Sequence, residues 1–407
     1  MYKKTLISLI LIIICLSNSL VFATDSITVW KDNYEAKIKE SIQVNAELTG
    51  NFLNLESGAG ILIEANSGQI LYEHNIHEQL RPASVTKVMS LLLIMESLDG
   101  GKIKLDDKVS CSERARKMGG SQIWLSENEE LSVHEMLKAI AVVSANDCTV
   151  AMAEYLYGSE EIFVSEMNKK AKILGMNDTT FKNSHGIDED GHVSSAHDIA
   201  IMSKELLTKH PKITEYTTIW MDTLRDGKSQ LVNTNKLVRN YAGCTGLKTG
   251  STSLALFNLS TSATRDGLSI IAVIMKGPTS DVRFNEAKKL LDYGFSNFGY
   301  KEMAKEGEII KTVSVIKGIN KEVNAVYETT KGALVKKGEE KSIVQNMNVV
   351  DNVMAPLKKG DKLGEVSYIA NGIEIAKVNI VAGEEVKKLS IGNMIAFTYN
   401  HWFRLLR

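Results

Sequence analysis

The sequence predicts an α+β domain followed by a small all-β module. Three observations carry that prediction. Capped helical segments, one of them apolar on nearly every side, fill the first half of the chain. Three consecutive β-prone runs lie between Leu247 and Met275, joined by short turns. Beyond residue 298 the texture changes to short alternating segments separated by glycines. Helices grouped against antiparallel strands make the α+β class, and the later strands make a separate all-β unit.

The elements follow in order. Residues 1–23 read as an export leader to be excluded from the fold: Lys3 and Lys4 precede an apolar run from Leu6 to Leu16, and Val21-Phe22-Ala23 fits a cleavage site. The alternative is an uncleaved anchor, although the run is short of the ~20 residues that a spanning helix needs. Cys15 follows the bulky Ile14, which argues against a lipidation site. Ile61 to Glu64 and Ile70 to Glu73 form a hairpin around Ala65-Asn66-Ser67-Gly68-Gln69. Pro82 stands at a helix start, Ala83 to Leu98 is apolar nearly all round, and Asp99-Gly100-Gly101 ends it. Ser132-Val133-His134-Glu135 is a capping box opening a helix through Met136, Leu137, Ile140 and Val143. A further helix begins near Asp147, and another runs from its cap at Ser159 to a stop at Gly175. Lys248–Ser253, Leu256–Ala263 and Leu268–Met275 are strands, with Arg265-Asp266-Gly267 as the second turn, and Ser280 opens the last helix of a domain spanning residues 24–298.

The all-β module covers residues 299–386, with strands expected at Ile309–Val315, Val323–Glu328, Ala333–Lys336, Lys362–Ile369 and Glu374–Val381. In the last stretch, 387–407, Ile391, Met394, Ile395, Thr398, Trp402, Leu405 and Leu406 recur at helical spacing beside Lys387, Lys388, Arg404 and Arg407. That pattern suits a helix lying on a membrane surface, or one docked on the β module. It is too short and polar to span. The 48 basic and 49 acidic residues give no reason to expect nucleic acid as a partner. Three cysteines outside the leader, Cys111, Cys148 and Cys244, are too few for a disulfide scaffold and read as small buried residues.

Three short motifs carry chemistry: Ser84-Val85-Thr86-Lys87, Ser144-Ala145-Asn146 and Lys248-Thr249-Gly250. Each is common alone, but the ordered trio is specific. Residues three apart share a helix face, so Ser84 and Lys87 point the same way. A serine needs a base to act as nucleophile, and a lysine serves only when neutral, which burial and a second cation, Lys248, both favour. Ser144 and Asn146 sit on a short link between helices, where Ser144 can relay a proton and the Asn146 amide can orient Lys87 and a peptide; by itself, Ser-Ala-Asn reads as a helix cap. Lys248 and Thr249 offer a charge and a hydroxyl for a free carboxylate. Gly250 permits close backbone approach. The main-chain N–H groups of Ser84 and Ser251 are the candidates for an oxyanion hole.

On these residues the chain resembles the low-molecular-weight penicillin-binding proteins, the serine-type D-alanyl-D-alanine carboxypeptidases. The likeness includes Pro82–Lys87, Gly119-Gly120-Ser121-Gln122, Ser144–Asp147, Asn183-Ser184-His185-Gly186-Ile187-Asp188, Thr245–Gly250 and, in the β module, Ala355–Gly360. It implies a β-lactamase/transpeptidase-like catalytic fold and removal of the terminal D-alanine from peptidoglycan pentapeptides. It implies acylation of Ser84, by substrate or by β-lactams, with Lys87 as base, Ser144 in proton transfer and Lys248 on the terminal carboxylate. It also implies an exported protein at the outer face of the cytoplasmic membrane or in the wall space, held there by the final helix. Ser251 replaces a common His, Leu256 a common Gly and Cys148 the usual Ala, so a catalytically weak wall scaffold is one alternative. A serine β-lactamase is another, but no Glu between Ser144 and His192 has Asn four residues later. A metallopeptidase is disfavoured: His185, Asp188, His192, His197 and Asp198 cluster without a His-Glu-x-x-His arrangement, and no metal or cofactor is expected.

Overall fold

A computed structural model describes residues 51–390 and residue 392. The leader at 1–23 and most of the 387–407 stretch lie outside the described residues. The helix expected from Lys387 does not begin there: Lys388 bridges Gly318, Ile319 N donates to the Lys387 carbonyl and Leu389 N to that of Lys317, because these residues extend the β module.

The first hairpin joins β1 (Ala59–Glu64) to β2 (Ile70–His74), with Gly68 in the turn at φ +80°. The helix expected from Ala83 is two elements: a 3-10 turn, Ala83–Thr86, and then α1 (Lys87–Asp99). The tighter turn has a packing reason. A Cβ on Gly186 would stand 1.9 Å from the Ala83 carbonyl oxygen, and one on Gly250 would stand 2.8 Å from the Ser84 nitrogen, so two backbones press on it. Residues Lys87 to Met95 are all buried, as a helix apolar on every side must be. Gly101 follows its end at φ +70°.

A small ribbon pairs β3 (Lys108–Ser110) with β4 (Glu130–Ser132). Next come α2 (Val133–Val142), opened by the expected capping box, and α3 (Asn146–Tyr157). α4 (Glu160–Ile173) is capped by Ser159. α5 (Ala196–Lys209), capped by Ser195, was not expected; its polar first turn, with His197 and Asp198, hid it. A second ribbon, β5 (Met221–Leu224) with β6 (Ser229–Val232), precedes β7 (Cys244–Thr252), β8 (Leu256–Arg265), β9 (Leu268–Gly277) and α6 (Ser280–Asn297).

The main sheet is antiparallel, in the order β2-β1-β9-β8-β7, which leaves β7 at an edge. Central β9 reads as an unbroken apolar run because both its faces are covered. Ile271, Val273 and Met275 pack into the core that holds α1 to α5, while Ile270, Ala272 and Ile274 pack with Leu290 and Leu291 of α6. Helices therefore lie on both faces of one sheet.

The C-terminal strands are β10 (Phe298–Ala304), β11 (Ile309–Ile316), β12 (Glu322–Tyr327), β13 (Lys331–Lys336), β14 (Val344–Val349), β15 (Asn352–Met354), β16 (Lys362–Ala370) and β17 (Ile373–Ala382). β10 pairs with β13, and the other six form a sheet in the order β14-β16-β17-β12-β11-β15. The five expected strands are present. β10, β14 and β15 were missed: most of β14 is exposed on both faces and shows no apolar alternation. Among the described residues no helix is long and apolar enough to cross a membrane.

Candidate active site

Ser84 lies in the 3-10 turn and Lys87 is the first residue of α1. In a 3-10 turn residues i and i+3 eclipse, which aligns the two side chains more closely than an α-helix does. Lys87 is fully buried, and its Nζ lies 3.0 Å from Ser84 Oγ, 2.6 Å from Asn146 Oδ1 and 2.7 Å from the His185 carbonyl oxygen. The last two are acceptors only. A neutral amine has two N–H donors and one lone pair, so donation to Asn146 and His185 leaves the lone pair for the Ser84 hydroxyl. Burial holds the Lys87 pKa well below its ordinary value; the charge of Lys248 pushes the same way and Asp147 opposes it.

The second motif fills the link between α2 and α3. Its helix-cap reading is overturned: Ala145 occupies the N-cap position and makes no side-chain cap bond. Ser144 instead sits at φ +66°, and its buried Oγ has no hydrogen-bond partner among the described residues. Asn146 donates from Nδ2 to the Gly119 carbonyl at 2.7 Å, which orients its amide with oxygen toward Lys87. Asp147 accepts from the backbone nitrogens of Ile123 and Leu125, each at 3.1 Å, and so ties the 119–125 segment beside the motif.

The third motif lies on the edge strand β7. Lys248 is buried and donates to the Thr249 carbonyl at 3.0 Å; burial, then the charge of Arg283, lowers its pKa to about 7. Thr249 donates to Thr234 Oγ1 at 2.7 Å. Gly250 is where β7 meets the Ser84 turn, since a Cβ there would sit 2.8 Å from both the Pro82 oxygen and the Ser84 nitrogen. Ser251, next on the strand, is exposed. The predicted residues Ser84, Lys87, Ser144, Asn146, Lys248, Thr249 and Gly250 thus converge from three separate parts of the chain.

Two contributors escaped sequence reasoning. Arg283 of α6 is buried and donates to the Gly250 carbonyl at 3.1 Å and the Asn258 carbonyl at 3.2 Å, clamping β7 to β8 from below. Nothing in its local pattern distinguishes it from a surface arginine. The 183–187 segment supplies the His185 carbonyl, and only its Asn-Ser-His-Gly pattern hinted at a role.

The histidine cluster read from the sequence does not converge. His192 pairs with Thr86 Oγ1 at 2.8 Å, and His185 stands 3.4 Å from Glu160. Burial lowers both pKa values, to about 4 for His192 and about 3 for His185, so both rings are neutral supports. His197 and Asp198 belong to α5. Leu256, at the position where glycine is common, has φ +56°, a left-handed backbone that explains the preference for glycine. Cys148 is buried within α3 and its thiol is raised well above its ordinary pKa, mainly by burial, which makes it unreactive.

Residues 43–279 match the family described as D-alanyl-D-alanine carboxypeptidase, and residues 298–388 match the C-terminal domain of penicillin-binding protein 5. The chain is 44% identical over 351 residues to D-alanyl-D-alanine carboxypeptidase DacF of Bacillus subtilis, covering 85% of this chain and 90% of the relative. It is 31% identical to DacC of Escherichia coli over 370 residues, 88% of this chain and 92% of the relative. Among solved structures, penicillin-binding protein 5 of Haemophilus influenzae superposes with a TM-score of 0.69 at 32% identity, covering 82% of this chain and 98% of that one. Penicillin-binding protein D2 of Listeria monocytogenes, in its ampicillin-bound form, gives 0.55 at 31% identity over 60% of this chain and 99% of that one.

Proposed function

This chain belongs to the D-alanyl-D-alanine carboxypeptidase family, and on that footing we propose that Ser84 removes the terminal D-alanine from peptidoglycan pentapeptides through an acyl-enzyme. The enzyme is a serine-type carboxypeptidase. One observation carries the assignment of roles: among the described residues Lys87 Nζ meets two obligate acceptors and the Ser84 hydroxyl, a set that lets a neutral amine turn its lone pair to Ser84 and act as base.

The terminal carboxylate docks on Lys248 and Thr249, and the extended peptide lies along the edge of β7. Lys87 takes the Ser84 proton as Oγ attacks the carbonyl of the penultimate D-alanine. The oxyanion is held by the N–H groups of Ser84 and Ser251. Collapse expels the D-alanine amine, which takes a proton from Lys87 through Ser144, whose hydroxyl, without a hydrogen-bond partner among the described residues, suits that relay. Water, deprotonated by Lys87, then cleaves the ester and restores Ser84. A β-lactam acylates Ser84 by the same steps, but its leaving nitrogen stays tethered in the adduct. No metal or cofactor enters these steps.

Family members act on peptidoglycan in the periplasm or wall space. We assign residues 1–23 as the export leader, 24–298 as the catalytic domain, 299–386 as the β domain and 387–407 as the membrane-surface segment, its helix beginning beyond Leu389, supported by the sequence patterns.

The deciding assay uses an acyl-D-Ala-D-Ala peptide. Wild type releases D-alanine and Ser84→Ala does not; release by the variant would remove Ser84 from the mechanism. A penicillin adduct that persists on Ser84 separates this enzyme from a β-lactamase, which clears its adduct quickly.

A further inference from the structure

We propose that His77, Asp178 and His197 form a binding site for a divalent transition-metal ion of the zinc class, on the surface and apart from the Ser84 site. The three come from distant points: His77 from the loop after β2, Asp178 from the loop after α4, and His197 from the first turn of α5. One ligand atom from each lies within 4.8 Å of the other two. His77 Nδ1 is 2.8 Å from Asp178 Oδ2, and the two imidazole rings are 4.6 Å apart between centroids.

Two further features favour a metal over a simple ion pair. First, His197 Nδ1 is 3.2 Å from Oδ1 of Asp198, which is 1% exposed. A buried carboxylate on one ring nitrogen fixes the tautomer and leaves Nε2 with a free lone pair, the arrangement that orients metal-binding histidines. Asp198 is itself held, accepting from Asp178 N at 2.8 Å and Thr179 Oγ1 at 2.7 Å. Second, backbone bonds hold the three segments together without help from the side chains. His197 N donates to the Ile76 carbonyl at 3.0 Å, Leu80 and Ser194 exchange both N–H···O bonds, and Thr180, two residues after Asp178, exchanges both with Val193.

Tetrahedral zinc with bonds of about 2.0–2.1 Å needs ligand atoms roughly 3.3 Å apart. With every separation at or below 4.8 Å, closing asks for at most about 1.5 Å, and His77, with its side chain 63% exposed, is free to make it. Two imidazoles and one carboxylate select zinc-class ions over Mg²⁺ or Ca²⁺, which prefer all-oxygen shells. A fourth position stays open to water. The bound ion would staple the 75–80 loop, which leads into the Ser84 turn, to α5.

The test titrates metal-stripped full-length protein with Zn²⁺ against a chromogenic chelator and follows melting temperature in parallel. Wild type is expected to take up one Zn²⁺ with a rise in melting temperature, and to ignore Mg²⁺. His77→Ala, Asp178→Asn and His197→Ala should each weaken uptake by roughly tenfold or more and abolish the rise. Penicillin acylation of metal-free protein should be the same in wild type and His77→Ala, which keeps this site separate from the Ser84 reading. No stoichiometric uptake by wild type, or equal uptake by folded His77→Ala, overturns the proposal.

Discussion

Asn146→Asp is the most direct test of whether Lys87 must be neutral. The substitution is isosteric and keeps an acceptor 2.6 Å from Lys87 Nζ, but makes it an anion. At that distance and an effective dielectric constant of about 20, the attraction is about 6 kcal/mol, an upper bound equivalent to roughly 4–5 pK units. The sign is upward: an adjacent carboxylate stabilises the ammonium, so Lys87 remains protonated at pH 7 and its lone pair is lost. Asn146→Ala removes the acceptor without adding charge, at a cost of about 1–3 kcal/mol for the N–H left unsatisfied. The second-order rate constant for acylation by a fluorescent penicillin, measured against pH, separates the two. Both variants should be slower than wild type at pH 7, with Asp the slower and its acid limb displaced to higher pH. Both variants lose the bond from Asn146 Nδ2 to the Gly119 carbonyl, so that loss does not separate their pH profiles. An Asp variant that acylates as fast as the Ala variant, or with an undisplaced acid limb, would refute a neutral-lysine base.

Two other perturbations follow from the geometry. Lys248, with its pKa lowered to about 7, carries its charge below that pH and loses it above. Carboxylate recognition is therefore strongest below pH 7, and kcat/KM for a D-Ala-D-Ala peptide should fall on the alkaline side, a limb that Lys248→Gln removes along with most of the activity. Gly250→Ala would place a methyl group 2.8 Å from the Ser84 nitrogen and force β7 from the nucleophile turn. Penicillin acylation should drop by roughly tenfold or more, since a misplacement of about 1 Å costs up to a hundredfold; an unchanged rate would mean that this close approach is dispensable.

Much of the site was legible because its parts are short and local. Ser84 with Lys87, Ser144 with Asn146, and Lys248 with Gly250 are each separated by no more than one turn or one pleat, so spacing alone places them together. The capping box at Ser132 and the stop at Gly101 are equally local. The C-terminal strands were legible where one face is buried, as in β12, and illegible in β14, whose exposure leaves no pattern to read. α5 was lost because its cap and first turn are polar, and they look like a loop until Ile199 to Leu206 are seen in the core.

The amino-acid order alone determined which side chains could carry the reaction and which elements would present two of them side by side. The tertiary structure decided what those groups become. Lys87 can serve as the proposed base because α1 is enclosed on all sides, because the His185 carbonyl arrives from about a hundred residues away, and because the charge of Lys248 adds to the effect of burial. Arg283 acquires a role only when α6 packs beneath β8 and β9. Ser84 stands in a 3-10 turn because Gly186 and Gly250 press on it from two directions. Periodicity and capping depend on neighbours in the chain, whereas desolvation, charge coupling and steric pressure depend on neighbours in space.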